Sequence, residues 1–371
     1  MIELFEDQTP RALELIEGVH GLQGTLAPEY PLVFGEGFAG RTLGVGEEGE
    51  VQAACGLLVR DLAIPSQDGG TRLRVGLIGS VSTGAAFRGR GLATRLIVEA
   101  EARLQSDGCA AVFLWADDPR FYLKRGFAPV GCEEDVLLPA VVCSRLPDSS
   151  SARRFVPADA AAVHALYSGH PARVERTQEE TAALLTCPRM DALVLERDGE
   201  VVAYALRGRG RDLSEVIHEW GGATQGVLAL LRAHLERAFE SKEPGALILM
   251  APHTESELLG ALDALGCQRT TGILGLGKLL DREAAAHAVA ERLGVLGSAR
   301  VAVGQDEAGN HLHGLHLAGP AGECFLDDEA ALALLFAPAT VRASARALLE
   351  NIGIPDAELP LEPFFWGLDS I

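Results

Sequence analysis

The run from Thr71 to Leu104, TRLRVGLIGSVSTGAAFRGRGLATRLIVEAEARL, constrains the fold more than any other part of the chain. It opens as a long strand, apolar on one side, and closes as an amphipathic helix. Leu92, Leu96, Ala100 and Leu104 recur every four residues, Ala93 and Ile97 widen the stripe, and Gly108 stops the helix. Between strand and helix lies a short turn with Arg88, Gly89, Arg90 and Gly91. A glycine turn that feeds a helix aims several backbone N–H groups one way, at the positive end of the helix dipole. Gly89 and Gly91 allow close approach without a Cβ clash. Arg88 and Arg90 can add charge-assisted hydrogen bonds. The corner has the features of an anion seat; on this short pattern alone, a solvated turn with two surface arginines remains the alternative.

The seat sits in an acidic chain, with 52 Asp and Glu against 32 Lys and Arg and a net charge of -20. Acidity on that scale counts against a nucleic-acid partner, which relies on clustered cations, and suits a cationic small molecule. With 371 residues the chain exceeds one ordinary core, so two or three domains are expected. Its Ala, Leu, Gly and Val content favours an α/β chain of alternating helices and strands in mixed sheets. Seven scattered cysteines show no CxxC pair and sit mostly in apolar runs, which points to buried free thiols in a reducing compartment. The start, MIELFEDQTP, lacks a signal-peptide apolar core, and no segment reaches the ~18 to 20 apolar residues a bilayer requires. A cytoplasmic protein with no membrane partner is expected.

Along the chain, RTLGVGEEGEVQAACGLLVRDL reads as two strands about a turn at Glu47 to Glu50. AAVFLWA is a buried strand, DPRFYLKRGF a short helix closed by Gly126, and a further strand is expected near 136 to 143. RLPDSSSARR is the clearest linker. After it the order of elements returns: a hairpin turning at Asp198-Gly199, the strand SEVIHEWGG, the helix GVLALLRAHLERAFE and the strand GALILMA. Duplication follows, but the arginines do not return; GGATQG stands in their place. A third segment begins at Asp281, a plausible N-cap, and ends in the aromatic tail LPLEPFFWGLDSI.

Val81-Ser82-Thr83 followed by Arg88 through Thr94, and then FYLKRGF with Tyr122, Gly126 and Phe127, resembles the signature of the GNAT acetyltransferases. The whole layout is similar to the Eis-type members: a GNAT domain at 1–147, a degenerate GNAT-like domain at 152–279, and a small α/β domain at 280–371 like a sterol carrier protein. The resemblance implies that backbone groups of Val81, Ser82 and Thr83 pair with the pantetheine arm of acetyl-CoA. Arg88, Gly89, Arg90, Gly91, Leu92, Ala93 and Thr94 would hold its pyrophosphate. It also implies a homo-oligomer, a hexamer in that family, and transfer of an acetyl group to a primary amine of a small acceptor. A CoA- or ligand-binding regulator on the same scaffold is the rival reading. A tandem transferase using charged tRNA is disfavoured by the charge.

Acetyl transfer needs an acid for the departing thiolate, and Tyr122 is the candidate, its alternative being a core tyrosine beside Phe121. For the base, Asp117 and Asp118 lie near the right strand end, where loop acids are usually solvated. The tail is a better source: Phe364, Phe365, Trp366 and Leu368 are too apolar to fray and should hold the terminal carboxylate of Ile371 in place. In Eis-type enzymes such a carboxylate enters the active site; a tail that merely packs is the alternative. GILGLGK mimics a P-loop but has Leu279 where Ser or Thr belongs. His311, His313 and His316 lack a neighbouring carboxylate or cysteine, so no metal is expected. His218 and Glu219 are read as braces of the domain interface.

Overall fold

The amphipathic helix and its long strand form as their periodicity requires, and the sheet around them sets the rest. The structure, a computed structural model, describes residues 3–6, 9–64, 71–240, 246–294, 300–305, 311–337, 343–354 and 363–371. The first strands are β1 (Glu3–Glu6), β2 (Arg41–Glu47), β3 (Glu50–Ile64), β4 (Thr71–Thr83), β5 (Ala111–Leu114) and β6 (Ala128–Val130). β2 and β3 turn at Glu48 and Gly49, whose φ values of 54° and 73° suit a tight hairpin with the right-handed strand twist. Alternation along β4 divides the core: Leu77 packs with Ala12 and Ile16 of the helix Thr9–His20, Ile78 with Leu92 and Leu96 of the helix Leu92–Ser106. One helix therefore covers each face.

Next come β7 (Glu133–Pro139), β8 (Ala152–Arg154), β9 (Arg173–Val174), β10 (Asp191–Arg197), β11 (Glu200–Arg209), β12 (Asp212–Gly222), β13 (Ala246–Pro252), β14 (Gln268–Gly272) and β15 (Gly275–Leu279). β7 ends at Pro139 and gives way to a 3-10 turn at Ala140–Arg145, earlier than the expected strand near 136 to 143. The hairpin turn at Asp198 and Gly199 is as read from sequence.

The two sheets show the duplication directly. One runs β1-β2-β3-β4-β5-β15-β6, with β9 on β3; the other, read the same way, runs β8-β10-β11-β12-β13-β7-β14. In each, one parallel pair sits mid-sheet, β4 with β5 and β12 with β13. The penultimate position of each sheet is filled by the other repeat: β15 lies between β5 and β6, and β7 between β13 and β14. The repeats thus exchange their last strands, and the sheets do not divide where the serine-rich linker does. GILGLGK contributes β15, a strand and not a phosphate loop.

The third segment forms a three-stranded sheet, β16 (Arg300–Gln305), β17 (His311–Gly319) and β18 (Gly322–Asp327), with helices at Arg282–Gly294, Asp328–Phe336 and Ala343–Asn351. Asp281 caps the first of these, accepting from the N–H groups of Glu283 and Ala284. The side chains of His311 and His313 lie outside the described residues. Among the described residues no helix is long and apolar enough to cross a membrane.

Strand exchange has a direct test. Residues 1–147 alone lack β15, so β5 and β6 lose the strand that joins them and expose apolar edges. That fragment should aggregate or stay unfolded by circular dichroism, whereas residues 1–280 should give a cooperative melt. A fragment 1–147 melting cooperatively as a monomer would contradict this.

Candidate active site

The glycine turn is shaped as the sequence requires. Gly89 and Gly91 have φ of 77° and 78°, a region that strains any residue with a Cβ, and the space beside both is open. Gly91 caps the helix Leu92–Ser106 with no side chain bonded to the first turn, so its leading N–H groups face outward. Arg88, Gly89, Arg90 and Gly91 are exposed, Leu92 is buried, and Ala93 and Thr94 are half-buried. Arg88 Nε donates to the Thr83 carbonyl at 3.4 Å, and Arg90 stands 5.3 Å from the Phe87 ring. Neither makes an ion pair among the described residues. Uncapped amides and two exposed guanidinium groups, held only by long bonds to the Thr83 and Ala86 carbonyls, fit a pyrophosphate.

Beside this seat the sheet opens. β4 and β5 pair at Val75–Ala111, Gly76–Val112 and Leu77–Phe113, and the ladder ends there. On its other side β4 stays paired with β3 as far as Thr83, across a bulge where Ser80 takes φ 54°. Val81, Ser82 and Thr83 therefore face the opening with one backbone edge. The Ser82 side chain turns elsewhere, donating to the Ser80 carbonyl at 3.0 Å and lying 3.0 Å from His20 Nε2.

Tyr122 packs on the core beneath the helix Leu92–Ser106, edge-on against Phe121 and Phe127. Burial, with Cys55 nearby, pushes its phenol up to about 12, so it keeps its proton at neutral pH. Arg125 fixes the short helix that carries it: the guanidinium stacks 3.6 Å from the Phe121 ring and donates to the Phe121 carbonyl and to Thr94 Oγ1. The tyrosine and the anion seat are thereby held to each other.

The C-terminus arrives on the opposite face. Phe364, Phe365, Trp366 and Leu368 are buried, and the tail is pinned by charge as well. Arg176 donates to both oxygens of Glu219 at 3.1 and 2.9 Å and to Asp369 at 2.7 Å, with none of its side chain exposed. Tyr167 donates to Asp369 at 3.0 Å and Tyr204 to Glu219 at 3.2 Å. Arg209 donates to the carbonyls of Gly367 and Ser370 at 2.6 and 2.8 Å. The last residue then meets the strand at the opening: a Cβ placed on Gly79 would stand 2.4 Å from the Ile371 carboxyl carbon. Glycine is required there. His218 and Glu219 are fully buried beneath the tail; burial drives His218 down to about 3, so it is neutral, and Glu219 is committed to Arg176.

A cavity of about 540 Å³ opens at this terminus. Ile371, Ser80, Trp115, Phe365, Asp117 and Glu133 are among the residues that line it. Glu133 gives no signal in the sequence, being one acid in the ordinary stretch GCEEDVLLP. Burial, reinforced by Asp135, raises it from 4.5 to about 8. Sequence reasoning also missed His20 and Tyr30, both on the same walls. Among the described residues no group of three or more His, Cys, Asp or Glu side chains is arranged to hold a metal ion.

Comparison with known proteins accords with this geometry. Residues 4–130 match the family model described as an acetyltransferase (GNAT) domain. No curated protein matches the chain. Solved structures match throughout. A GCN5-related N-acetyltransferase from Anabaena variabilis superposes with a TM-score of 0.66 at 14% identity, covering 100% of both chains. A probable N-acyltransferase from Enterococcus faecalis gives 0.64 at 12%, covering 88% of this chain and 83% of that one. Eis1 from Mycobacterium abscessus gives 0.53 at 16%, with 88% and 85% covered. Residues 4–130 are thus similar to a GNAT acetyltransferase domain, and the fold of the Anabaena variabilis neighbour extends along the whole chain.

Arg90→Glu places a repelling charge at the anion seat. It should weaken CoA binding at least tenfold in calorimetry, in line with the loss of a charge-assisted contact, with little change in melting temperature. Unchanged affinity would remove the pyrophosphate from this loop.

Proposed function

We propose that the protein transfers an acetyl group from acetyl-CoA to a primary amine of a small, cationic acceptor, by direct attack on the thioester. One observation carries the reading: the terminal carboxylate lies against Gly79, on the strand whose free edge runs along the opening. Bound acetyl-CoA supplies the activated acyl group. The residues that fit it are Val81, Ser82 and Thr83 for the arm and Arg88 through Thr94 for the pyrophosphate.

The chain's own groups divide the proton work between the two faces of the sheet. The Ile371 carboxylate, on the cavity side, takes the proton that the acceptor's ammonium must lose before its nitrogen can attack. Tyr122, on the helix side, gives its proton to the departing thiolate. Asp117 sets negative charge beside the acceptor, Glu133 joins it above about pH 8, and Trp115 offers an aromatic face to a cation. A cytoplasmic location and assembly of several copies belong to the same reading, supported by the free cysteines and by the likeness to Eis1.

Two variants test the terminus. Removing Ser370 and Ile371 leaves Trp366 and Asp369 anchored, so kcat should fall at least tenfold while CoA affinity is kept. Gly79→Ala keeps the carboxylate but displaces it, and should lower kcat similarly. Full activity in both would make the tail a structural plug.

Glu133 adds a pH dependence. Its pKa in the folded protein is raised, so the neutral form prevails below about 8 and the charge appears above it. The KM for a cationic acceptor should therefore fall as pH rises through 8, and Glu133→Gln should flatten that limb. Stability runs the other way: the folded state binds a proton that the unfolded chain releases above 4.5. The stabilisation is complete below 4.5 and is lost through about 8. Thermal melts of Glu133→Gln should lack that part of the slope.

A further inference from the structure

In so acidic a chain, a second cavity is lined by four arginines. It measures about 460 Å³, lies in the second repeat and takes Arg154, Arg189, Arg207 and Arg237 from four separate places in the fold. Arg154 ends β8, Arg189 stands in the turn before β10, Arg207 is on β11, and Arg237 is in the last turn of the helix Thr224–Glu240. The start of that helix is where the first repeat's anion seat would recur, so this cavity is at the other end and is not a relic of a CoA site.

One carboxylate, Asp191, lines the cavity with them. It accepts from Arg237 at 2.9 and 3.0 Å and lies 3.8 Å from Arg207. Burial opposes its charge, but the hydrogen bonds from Arg237, with the His234 ring close by, hold it below the usual carboxylate range, so it is ionised. Its effect is to orient two guanidinium groups, not to neutralise four. Glu29, from the helix Leu26–Glu29, steadies Arg189 at 2.7 Å. Arg154 is exposed and has no hydrogen bond or ion pair from its side chain among the described residues. Arg189 also holds a φ of 58°, a left-handed backbone uncommon for a residue with a Cβ. Such strain is typical of positions where a side chain must be presented in one direction.

The remaining walls are not polar. Phe155, Leu185, Met190 and Ala192 complete the lining and give the cavity an aromatic and an aliphatic side. Guanidinium forks match the oxygens of a phosphate with two parallel hydrogen bonds each, and here four converge on one cavity whose two carboxylate partners, Asp191 and Glu29, leave Arg154 without an ion pair among the described residues. We propose that this cavity is a second ligand site, taking a phosphate monoester with an aromatic or apolar body of nucleoside-monophosphate size. The phosphate lies among Arg154, Arg189 and Arg207, and the body rests on Phe155 and Met190.

Phenyl phosphate is the probe, titrated by calorimetry into full-length Arg90→Glu protein so that the glycine-turn seat is disabled. One phenyl phosphate per chain is expected, with inorganic phosphate and benzoate each binding more weakly. Adding Arg154→Glu should weaken phenyl phosphate at least tenfold, and Arg154→Gln should do so by less. Arg154 is exposed, so circular dichroism and melting temperature should match the parent. Absence of binding in the Arg90→Glu protein overturns the proposal, as does equal affinity with and without Arg154→Glu. Benzoate binding as tightly as phenyl phosphate overturns the assignment to a phosphate.

Discussion

Arg176, with none of its side chain in contact with solvent, stands between Glu219 on β12 and Asp369 in the tail, and the position of the chain's end depends on it. Three buried charges are costly to desolvate, and removing one partner of such a set typically costs about 3–5 kcal/mol. Here the hydroxyls of Tyr167 and Tyr204 satisfy the carboxylates further, so the cluster specifies one geometry. Aromatic packing of Trp366 against Trp220 and His170 would hold the tail loosely in depth; the ion cluster fixes how far it reaches. Two residues beyond Asp369, the carboxylate meets Gly79.

The arrangement joins both repeats to one site. The second repeat supplies no arginine loop, yet it supplies Arg176, Arg209 and Glu219, which present the terminus to the first repeat's opening. Arg60 of β3 reciprocates: buried, it donates to both oxygens of Glu180, at 2.5 and 3.1 Å, and to the Glu175 carbonyl at 2.6 Å. The second repeat is thus the scaffold that holds the terminus against the first repeat's sheet.

What could be read in the sequence is what rests on local order. The glycine turn, its helix and Tyr122 lie within 42 positions of Val81, and periodicity with turn chemistry places all of them. The buried tail was legible from its aromatics, and the duplication from the recurring order of strands and helices. Strand exchange was not: β7 and β15 are short segments that would fit either sheet, and only the three-dimensional pairing decides. Glu133 stayed hidden because its raised proton affinity comes from burial by distant segments. The four arginines of the second cavity, from 154 to 237, share no motif spacing. β1 and β18 also escaped notice, each being too short and polar to stand out.

Exchange of the last strands sets an order on biosynthesis. β5 and β6 are complete by residue 130, but the strand that joins them ends at Leu279. At ribosomal rates of about 5–20 residues per second, those edges wait on the order of ten seconds for their partner. During that interval the second repeat emerges and needs β7, already made, for its own sheet. The first repeat therefore lends a strand before it receives one, and the half of the protein that is made first is the last to be finished. A nascent chain stalled between the two events would present apolar strand edges to chaperones, which makes the interval itself a feature that selection can act upon.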